Sequence, residues 1–286
     1  MRNLTISCPD ITPTAWGIAY QRTLTDIPYA QEIFGMLGAM VGKGVPEEWE
    51  KWKYPQLTPM LEARYKMVDL LLAEHDAERV LEIAAGFSPR GMEKTKNPDT
   101  TYVEMDLLPV MLEKRRIVQT ILGHIPSRLY LETGSVLEYE DLSRAALHFE
   151  SGPIHVVHEG LLRYLNLEEK TTVAHTVHRL LTEHDGAWIT PDVCARGMNA
   201  TGALKHIVRA QNEQMLRMTG IDVRKNYFGN EQEARAFFES MGFSVERRSF
   251  DEVREKLVSP QREGLNIEQI NDSIGDSAVY VMRVDH

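Results

Sequence analysis

A turn of small residues, followed by an acid about 20 positions later, holds the residues of this chain best suited to bind a nucleotide. The apolar run Val80–Ile83 enters a turn in which Gly86 can adopt a positive φ and let backbone N–H groups approach a ligand. A second apolar run, Thr101–Met105, ends on Asp106, 20 residues after Gly86. In β-turn-α-β sites of this shape the turn approaches the ligand and the acid binds a ribose. The spacing therefore predicts a nucleotide site at this turn.

The residues of the turn also narrow the choice of nucleotide. A dinucleotide site would need glycines at Ala84, Gly86 and Pro89, and a proline at the third position opposes close packing of helix on strand around a pyrophosphate. A phosphate-binding loop that ends in Gly-Lys-Ser or Gly-Lys-Thr is absent from the sequence. An acid, Glu82, followed by small residues and Gly86 suits an amino acid joined to a nucleoside. S-adenosylmethionine is the cofactor that this pattern favours.

Composition excludes several other classes of function. The chain has 286 residues, of which 43% are hydrophobic, a net charge of −10 and only two cysteines, Cys8 and Cys194. An acidic surface argues against nucleic acid or an anionic membrane as the main partner, because phosphate binding needs clustered Lys and Arg. Two distant cysteines argue against a disulfide framework or a structural zinc site. With no signal peptide and no apolar run long enough for a bilayer, we expect a cytoplasmic protein.

The order of the predicted elements indicates an α/β fold. Five strands alternate with helices, and two further strands follow near the end of the chain, separated by a short helical connection, Asp251–Ser273. The predicted strands are Val80–Ile83, Thr101–Met105, Arg128–Glu132, Pro153–His158, Gly186–Thr190, Phe243–Phe250 and Ser277–Val284. Such alternation predicts a doubly wound, mostly parallel sheet. The last two strands suit an antiparallel pair at its end.

Two helical additions flank the predicted sheet domain. Residues 1–58 are interpreted as a helical N-terminal cap or lid, and residues 59–286 as the nucleotide-binding domain. The helix predicted from Pro59 to about Glu74 precedes the first strand and has one apolar face. A helical insertion at about 195–228 follows the fifth strand, and we expect it to form the wall of the pocket for a second substrate.

Several motifs, taken in their order and spacing, resemble the leucine carboxyl methyltransferase family, and within it the polyketide-type O-methyltransferase branch. That family is built on the class I methyltransferase fold, a Rossmann-like sheet of seven strands. Its usual turn is Asp-Leu-Gly-Ala-Gly-Leu-Asp-Thr-Arg, from which this chain departs at Glu82, Ala84 and Ser88. Glu82 keeps the charge, and Ala84 narrows the turn by one methyl group. The matching pieces are Thr12–Ala15, Arg22, Asp26–Ala30, Arg64-Tyr65, Asp69, Leu81–Arg90, Tyr102–Leu107, Lys114 and His158–Leu165.

The resemblance implies a set of cofactor-binding residues. Arg64 would pair with the carboxylate of S-adenosylmethionine, and Asp106 would accept both ribose hydroxyls, with Glu104 as the alternative acid. Glu159, at the end of the fourth strand, would face the amino group or the sulfonium. The remaining expected contacts come from the turn and from the ends of strands two and three: Glu82, Ala84, Gly86, Leu107, Ser135 and Val136.

Two histidines and a tyrosine are the candidates for acid–base chemistry. His158, Tyr164 and His206 are the candidate catalytic residues, because each is expected near the mouth of the site. A base would help if the acceptor is a phenol, whereas a carboxylate acceptor is already ionised and needs none. A metal site is not expected: His155 and His158 lie three residues apart on a strand and point to opposite faces.

The sequence thus favours an enzyme, an S-adenosylmethionine-dependent O-methyltransferase that transfers a methyl group to a hydroxyl or carboxyl oxygen of a small molecule. Three alternatives stay open at this point. They are an NAD(P)-binding oxidoreductase, a carboxyl methyltransferase acting on a protein C-terminus, and a catalytically silent protein that binds S-adenosylmethionine. The sequence does not indicate the acceptor or the oligomeric state.

Overall fold

The structure, a computed structural model, describes residues 17–40, 54–196 and 204–285. Three predicted segments lie outside the described residues: the helix start at Thr12–Ala15, residues 41–53, and residues 197–203 of the predicted insertion.

One seven-stranded sheet forms the centre of the fold, with the strand order β3-β2-β1-β4-β5-β7-β6. The first five strands run parallel, and β7 pairs antiparallel with both β5 and β6. The predicted α/β class, the doubly wound sheet and the antiparallel C-terminal pair are therefore confirmed. The strands are β1 (Arg79–Ile83), β2 (Thr101–Asp106), β3 (Leu129–Thr133), β4 (Ile154–Val157), β5 (Gly186–Thr190), β6 (Phe243–Ser249) and β7 (Ala278–Val284).

Helices cover both faces of the sheet, as the near-continuous burial of its parallel strands requires. They are α1 (Ala30–Met40), α2 (Thr58–Glu74), α3 (Arg90–Lys94), α4 (Leu108–Leu122), α5 (Tyr139–Ala146), α6 (Leu167–His184), α7 (Leu204–Thr219), α8 (Glu231–Ser240), α9 (Ser259–Arg262) and α10 (Ile267–Ile274). Residues 17–23 are also helical. Short 3-10 turns occur at Pro55–Leu57, Leu162–Tyr164, Val223–Asn226 and Phe250–Lys256.

The two faces of the sheet bury different side chains. Leu81, Val103 and Trp188 belong to a core with residues of α5, α6 and α8. Val80 and Tyr102 belong to a second core with residues of α1, α2 and α4. Because side chains alternate along a strand, the second face also receives Glu82 and Glu104, which are adjacent in the β1–β2 register. Two buried carboxylates thus lie side by side between the sheet and α2 and α4.

Helix boundaries follow the local backbone chemistry. The helix expected from Ile27 begins at Ala30, because Tyr29 has a φ of 59° and cannot belong to a right-handed helix. Asn166 caps α6 as predicted: its side chain accepts the N–H of Glu169, and the Glu169 carboxylate accepts the N–H of Asn166. The predicted insertion contains α7, and a parallel bridge joins Ala195 to Phe228 at its two ends.

The described part of the N-terminal region packs on the sheet domain. Ala19, Ile33 and Leu37 belong to the same core as Met67 of α2. Arg262 of α9 donates a hydrogen bond to the carbonyl of Thr25. The division at residue 58 into a cap and a nucleotide-binding domain stays a prediction. No helix among the described residues is long and apolar enough to cross a membrane.

Gly91 allows α3 to lie directly against β2. A Cβ at this position would lie 2.5 Å from Oε1 of Glu104 and 2.7 Å from Cδ1 of Leu129. Both neighbours are buried, so neither has room to move away. The absence of a side chain at residue 91 is therefore a condition for the close contact of α3 with the acidic face of the sheet.

We expect Gly91→Ala to lower the free energy of unfolding by roughly 1–3 kcal/mol, the usual cost of overpacking a buried site. Gly35→Ala is the matched control, because Gly35 is also helical and a Cβ there has nothing within 4 Å. The control should be neutral or stabilised by up to about 1 kcal/mol through helix propensity. Urea unfolding measures both variants, and equal stability of the two would contradict the packing argument.

Candidate functional site

The turn after β1 is held in place by Asp106 at the end of β2. Oδ2 of Asp106 accepts the backbone N–H of Gly86 at 2.7 Å, and Oδ1 accepts its neighbour Leu107 N–H at 2.7 Å. The predicted pair of turn and acid is thus in direct contact. Burial raises the pKa of Asp106, against the lowering effect of the two N–H donors. Each carboxylate oxygen has a second lone pair, which leaves capacity for two hydroxyl donors.

Two residues of this turn have left-handed backbone conformations. Gly86 has a φ of 52°, and Ala84 has a φ of 49°. Glycine adopts this region without cost, but alanine does not, because its Cβ approaches the following carbonyl. The sequence predicted that Ala84 narrows the turn. The structure shows in addition that Ala84 carries backbone strain where the resembling family has glycine.

The alternative acid, Glu104, is engaged elsewhere. It is fully buried and forms an ion pair with Nζ of Lys114 at 2.7 Å. Lys114 also donates to the carbonyl of Ser88. Burial raises the pKa of Glu104 to about 7, although Lys114 acts in the opposite direction. Of the two acids considered for a ribose, Asp106 is therefore the one that borders the turn and keeps partial exposure.

Arg90 lies fully buried at the centre of an ion network that joins α2, β1 and the end of β4. Its Nε donates to Asp69 at 3.0 Å, its Nη1 to Glu82 at 2.9 Å and its Nη2 to Glu159 at 2.6 Å. The guanidinium also lies 4.2 Å from the centroid of the Tyr65 ring. Desolvation opposes the charged form, but the three acids outweigh it, and the pKa of Arg90 is raised.

Sequence reasoning noticed Arg90 in the motif but gave it no role. Its partner Glu82 was expected to contact the cofactor, whereas the structure buries Glu82 between Arg90 and the hydroxyl of Tyr102, which donates at 2.7 Å. The signal in the sequence was an arginine at the end of the small-residue turn, directly after Pro89 and before the small and apolar residues Gly91 and Met92. A buried arginine needs acids around it, and Asp69 and Glu159 were both within the quoted motifs.

Glu159 is surrounded by three arginines. Besides Arg90, its Oε2 lies 4.0 Å from Nη2 of Arg22 and 3.9 Å from Nε of Arg64. Burial alone would raise the pKa of Glu159, but Arg90, Arg22 and Arg64 outweigh it and hold that pKa below its ordinary value. Glu159 is therefore ionised at neutral pH and forms a fixed negative charge at the carboxyl end of β4.

Arg64 has hydrogen-bonding capacity to spare. Its Nε is buried and makes no hydrogen bond to any residue that the structure describes. The Glu159 carboxylate stays 3.9 Å from this Nε and is bonded more closely to Arg90. A buried, unsatisfied guanidinium N–H is costly unless a ligand completes it. A carboxylate of a bound ligand fits this position chemically.

The residues expected around an adenine form a well-ordered loop after β3. The backbone N–H of Ser135 donates to Oδ2 of Asp141 at 2.8 Å, and Oγ of Ser135 accepts the N–H of Leu137 at 3.2 Å. The carbonyl of Val136 accepts the hydroxyl of Thr176 at 3.1 Å. The side chains of Ser135 and Val136 stay partly exposed. This loop borders the same edge of the sheet as the end of β2, since Asp106 pairs with Thr133.

The three candidate catalytic residues lie in different environments. His158 is fully buried, with Nδ1 at 3.3 Å from Oγ1 of Thr190 and 4.0 Å from Oδ2 of Asp192. Its Nε2 has no hydrogen-bond partner in the described part of the chain. Burial lowers the pKa of His158 to about 4, so the ring is neutral at pH 7. Tyr164 is partly buried in the turn after β4, and His206 is exposed on α7.

Among the described residues, no group of three or more His, Cys, Asp or Glu side chains is placed to hold a metal ion. The rings of His155 and His158 pack against different partners, as the strand geometry predicted. The ring of His155 lies against that of His75, with centroids 5.2 Å apart and planes tilted by 41°, whereas the ring of His158 lies 5.6 Å from that of Trp188.

No protein-family model matches the chain, and no curated protein matches it significantly in sequence. Several solved structures are similar in fold. The magnesium protoporphyrin IX methyltransferase from Synechocystis PCC 6803 with bound SAH is 12% identical, with a TM-score of 0.48 over 88% of this chain and 94% of that chain. An O-methyltransferase family protein from Burkholderia thailandensis is 14% identical, with a TM-score of 0.46 over 94% of this chain and 71% of that chain. At this level of identity the likeness is one of overall fold.

We expect Ala84→Gly to raise the free energy of unfolding by about 0.5–1 kcal/mol, because glycine relieves the left-handed strain. The neighbouring substitution Ala85→Gly is the control. Ala85 is buried and has no positive φ, so its replacement should destabilise the protein. Urea unfolding of the three proteins tests this, and an Ala84→Gly variant less stable than the native protein would show that the strain is absent.

The buried His158 should make stability depend on pH. Its folded pKa of about 4 lies below the ordinary 6.5, so its contribution is complete above pH 6.5 and is lost as pH falls toward 4. Between pH 7 and pH 5 this loss is roughly 2 kcal/mol. Between pH 7 and pH 5, the unfolding free energy of the His158→Gln variant should therefore fall by roughly 2 kcal/mol less than that of the native protein.

Comparing the pH dependence of the unfolding free energy in the native protein and in His158→Gln cancels the contribution of titrating groups that both proteins contain. Glu104 acts in the opposite direction, because its raised pKa of about 7 favours the folded state at low pH in both proteins. His175→Gln is the control, since His175 is exposed and should leave the slope unchanged. Urea unfolding at several pH values gives the slopes. A His158 ring that titrates near pH 6.5 by NMR would refute the prediction.

Proposed function

We propose that this chain is an S-adenosylmethionine-dependent O-methyltransferase that methylates a hydroxyl or carboxyl oxygen of a small molecule. The observation that carries the proposal is a pair of charged groups beside the turn held by Asp106. Arg64 offers an unsatisfied buried N–H, and Glu159 offers an ionised carboxylate 3.9 Å away. An amino-acid zwitterion joined to a ribose matches these three features together.

Each part of the cofactor has a residue of suitable chemistry. Arg64 would bind the carboxylate, for which a planar fork of donors is well suited. Glu159 would accept the amino group and also stabilise nearby positive charge. Asp106 would accept the ribose hydroxyls, and the backbone around Gly86 would pass beneath the ligand, where a Cβ-sized space is open. Leu107, Ser135 and Val136 would flank the adenine.

The same geometry disfavours a dinucleotide. Pro89 stands directly before α3, and the Arg90 side chain that follows is buried among three acids. A negative pyrophosphate above this helix start would meet Glu82 and Glu159 rather than free donors. The oxidoreductase alternative is therefore the weaker one.

The family proposed for the chain is the leucine carboxyl methyltransferase family, in its polyketide-type branch. In its favour is the convergence of motif residues that are far apart in sequence: Arg22, Arg64, Asp69 and Glu159 all lie around Arg90 or its partner acid. Ala84 and Ser88 are departures within the turn. Ser88 is buried, and its Oγ accepts the N–H of Arg90 at 3.3 Å, so a serine fits where the resembling family has an aspartate.

The cofactor would supply an electrophilic methyl group on a sulfonium, and the protein's part is mainly positioning and exclusion of water. Arg64, Asp106 and Glu159 would fix the donor, while the 195–228 insertion would enclose the acceptor. His158 is neutral at pH 7 and could accept a proton through Nε2, but a pKa of about 4 makes it a weak base. An acceptor that is already ionised, or nearly so, suits this site better than an ordinary alcohol.

Cofactor binding tests the proposal directly. Isothermal titration should show binding of S-adenosylmethionine and no binding of NADH. Arg64→Ala and Asp106→Ala should each weaken S-adenosylmethionine binding at least tenfold, since a hydrogen bond to a charged group contributes about 1.5–3 kcal/mol.

Exposed residues of the same types supply the controls. Arg116→Ala and Asp99→Ala change side chains at the surface and should leave binding unchanged. Circular dichroism checks that each variant is folded. NADH binding without S-adenosylmethionine binding would overturn the proposal. Cofactor binding without labelled-methyl transfer to a broad panel of phenols and acids would favour a silent binding protein.

A further inference from the structure

A second arginine near the site forms no ion pair with a carboxylate of the described residues. Arg163 belongs to the turn Leu162–Tyr164, which follows the end of β4 four residues beyond Glu159. Its backbone is fixed on both sides. The N–H of Leu162 donates to Oδ2 of Asp192 at 2.6 Å, and the side chain of Asn226 donates to the carbonyl of Arg163 at 3.1 Å.

Within the described part of the chain, the hydrogen bonds of the Arg163 guanidinium go to neutral groups. Its Nη2 donates to Oδ1 of Asn212 at 3.2 Å and to the hydroxyl of Tyr227 at 3.4 Å. Its Nε is buried and has no hydrogen-bond partner among the residues that the structure describes. Arg90, by contrast, bonds three carboxylates.

The thiol and the phenol beside Arg163 supply no negative charge. Burial raises the pKa of the Cys194 thiol to about 12, and Asp192 adds to this effect, so the thiol is neutral at pH 7. Burial also raises the pKa of Tyr227, which stays a neutral phenol. The charge of Asp192 does act on Arg163 and helps to raise its pKa, but the hydrogen bonds of Asp192 go elsewhere: one oxygen accepts the N–H of Leu162 and the other accepts the thiol of Cys194 at 3.7 Å.

A partly buried cation with fixed geometry and neutral partners is arranged for an anionic ligand. Desolvation of the guanidinium is costly, and neutral acceptors return hydrogen bonds but no opposite charge. The planar fork of arginine matches a carboxylate, which can accept from two N–H groups at once. Arg163 also bonds the 195–228 insertion, which is expected to form the wall of the acceptor pocket, because its partners Asn212 and Tyr227 belong to that insertion.

We propose that the methyl acceptor is a small organic acid and that Arg163 binds its carboxylate. This inference rests on the proposed methyltransferase function and adds the chemical class of the acceptor. A molecule with the same skeleton but an amide in place of the acid would lose the ion pair and bind weakly. Arg163 would thus determine specificity without itself taking part in methyl transfer.

Matched acid and amide pairs test the proposal. The protein, saturated with S-adenosylhomocysteine, is titrated with benzoate and benzamide, salicylate and salicylamide, cinnamate and cinnamamide, and octanoate and octanamide. We expect acids to bind at least tenfold more tightly than their amides in at least one pair. Arg163→Gln should abolish that preference. Arg224→Gln should preserve it, because Arg224 is an exposed arginine already paired with Asp222 at 2.7 Å.

Two results would overturn the inference. One is equal binding of acid and amide by the native protein across all four pairs, and the other is an acid preference that survives in Arg163→Gln. If Arg163→Gln does not fold, Arg163→Lys keeps the charge but lacks the fork. It should weaken acid binding at least threefold without changing amide binding, and unchanged acid binding would then refute the proposal.

The same titrations separate this inference from the function on which it rests. Binding of S-adenosylhomocysteine by the native protein without any acid preference sinks the anion site alone. Absence of S-adenosylhomocysteine binding sinks the methyltransferase proposal, and the acid and amide pairs are then compared on the protein without cofactor. A purely structural role for Arg163 predicts equal loss of acid and amide binding in Arg163→Gln, which also overturns the proposal.

Discussion

The ion network of Arg90 is the interaction on which the geometry of the site depends. One guanidinium bonds Asp69 on α2, Glu82 in β1 and Glu159 after β4, so it fixes three segments that are far apart in sequence. Removing one partner of a buried ion pair commonly costs on the order of 3–5 kcal/mol, because the remaining charge is left without compensation. The position of Glu159, and therefore that of Arg64 and Arg22 beside it, depends on the charge of Arg90, although Arg90 itself need not contact a ligand.

A second buried ion pair, between Lys114 and Glu104, lies beside the Arg90 network. Lys114 bonds Glu104 and the carbonyl of Ser88, while Gly91 leaves room for the Glu104 carboxylate beneath α3. Both pairs arise from one fact of register, the adjacency of Glu82 and Glu104 in β1 and β2. Each acid faces a cation from the helix above it. The turn between them is thus supported by charge on one face and by the Asp106 hydrogen bonds at its tip.

Much of the fold follows from local pattern alone. The alternation of short apolar runs with helical segments predicts all seven strands to within one or two residues, and Asn166 marks the start of α6 correctly. The pairing of Gly86 with Asp106 follows from their spacing, because the ends of adjacent parallel strands meet at one edge. These features depend on periodicity and on turn chemistry, both of which are written in neighbouring residues.

The parts that escaped prediction depend on charges and dihedral angles set by tertiary packing. Glu82 carries the right charge for a ligand contact, yet the buried Arg90 takes that charge, and only the three-dimensional structure shows which residue takes it. The left-handed φ of Ala84 is equally invisible, since alanine rarely adopts it and the sequence alone suggests no strain. Arg163 lies inside an apolar run and received no role from the sequence, because the importance of an arginine depends on the groups that packing brings around it.

The position of β7 has a consequence for how the chain can assemble. This strand lies between β5 and β6 and forms antiparallel ladders with both, so those two strands share no ladder with each other. Until residues near 278–284 have left the ribosome, one side of β5 carries unpaired backbone groups, and β6 has no place in the sheet. Such open strand edges are prone to intermolecular pairing, and contacts between distant segments form slowly. The nascent polypeptide is therefore most vulnerable to aggregation in the interval when the first five strands have formed and the seventh is still to come.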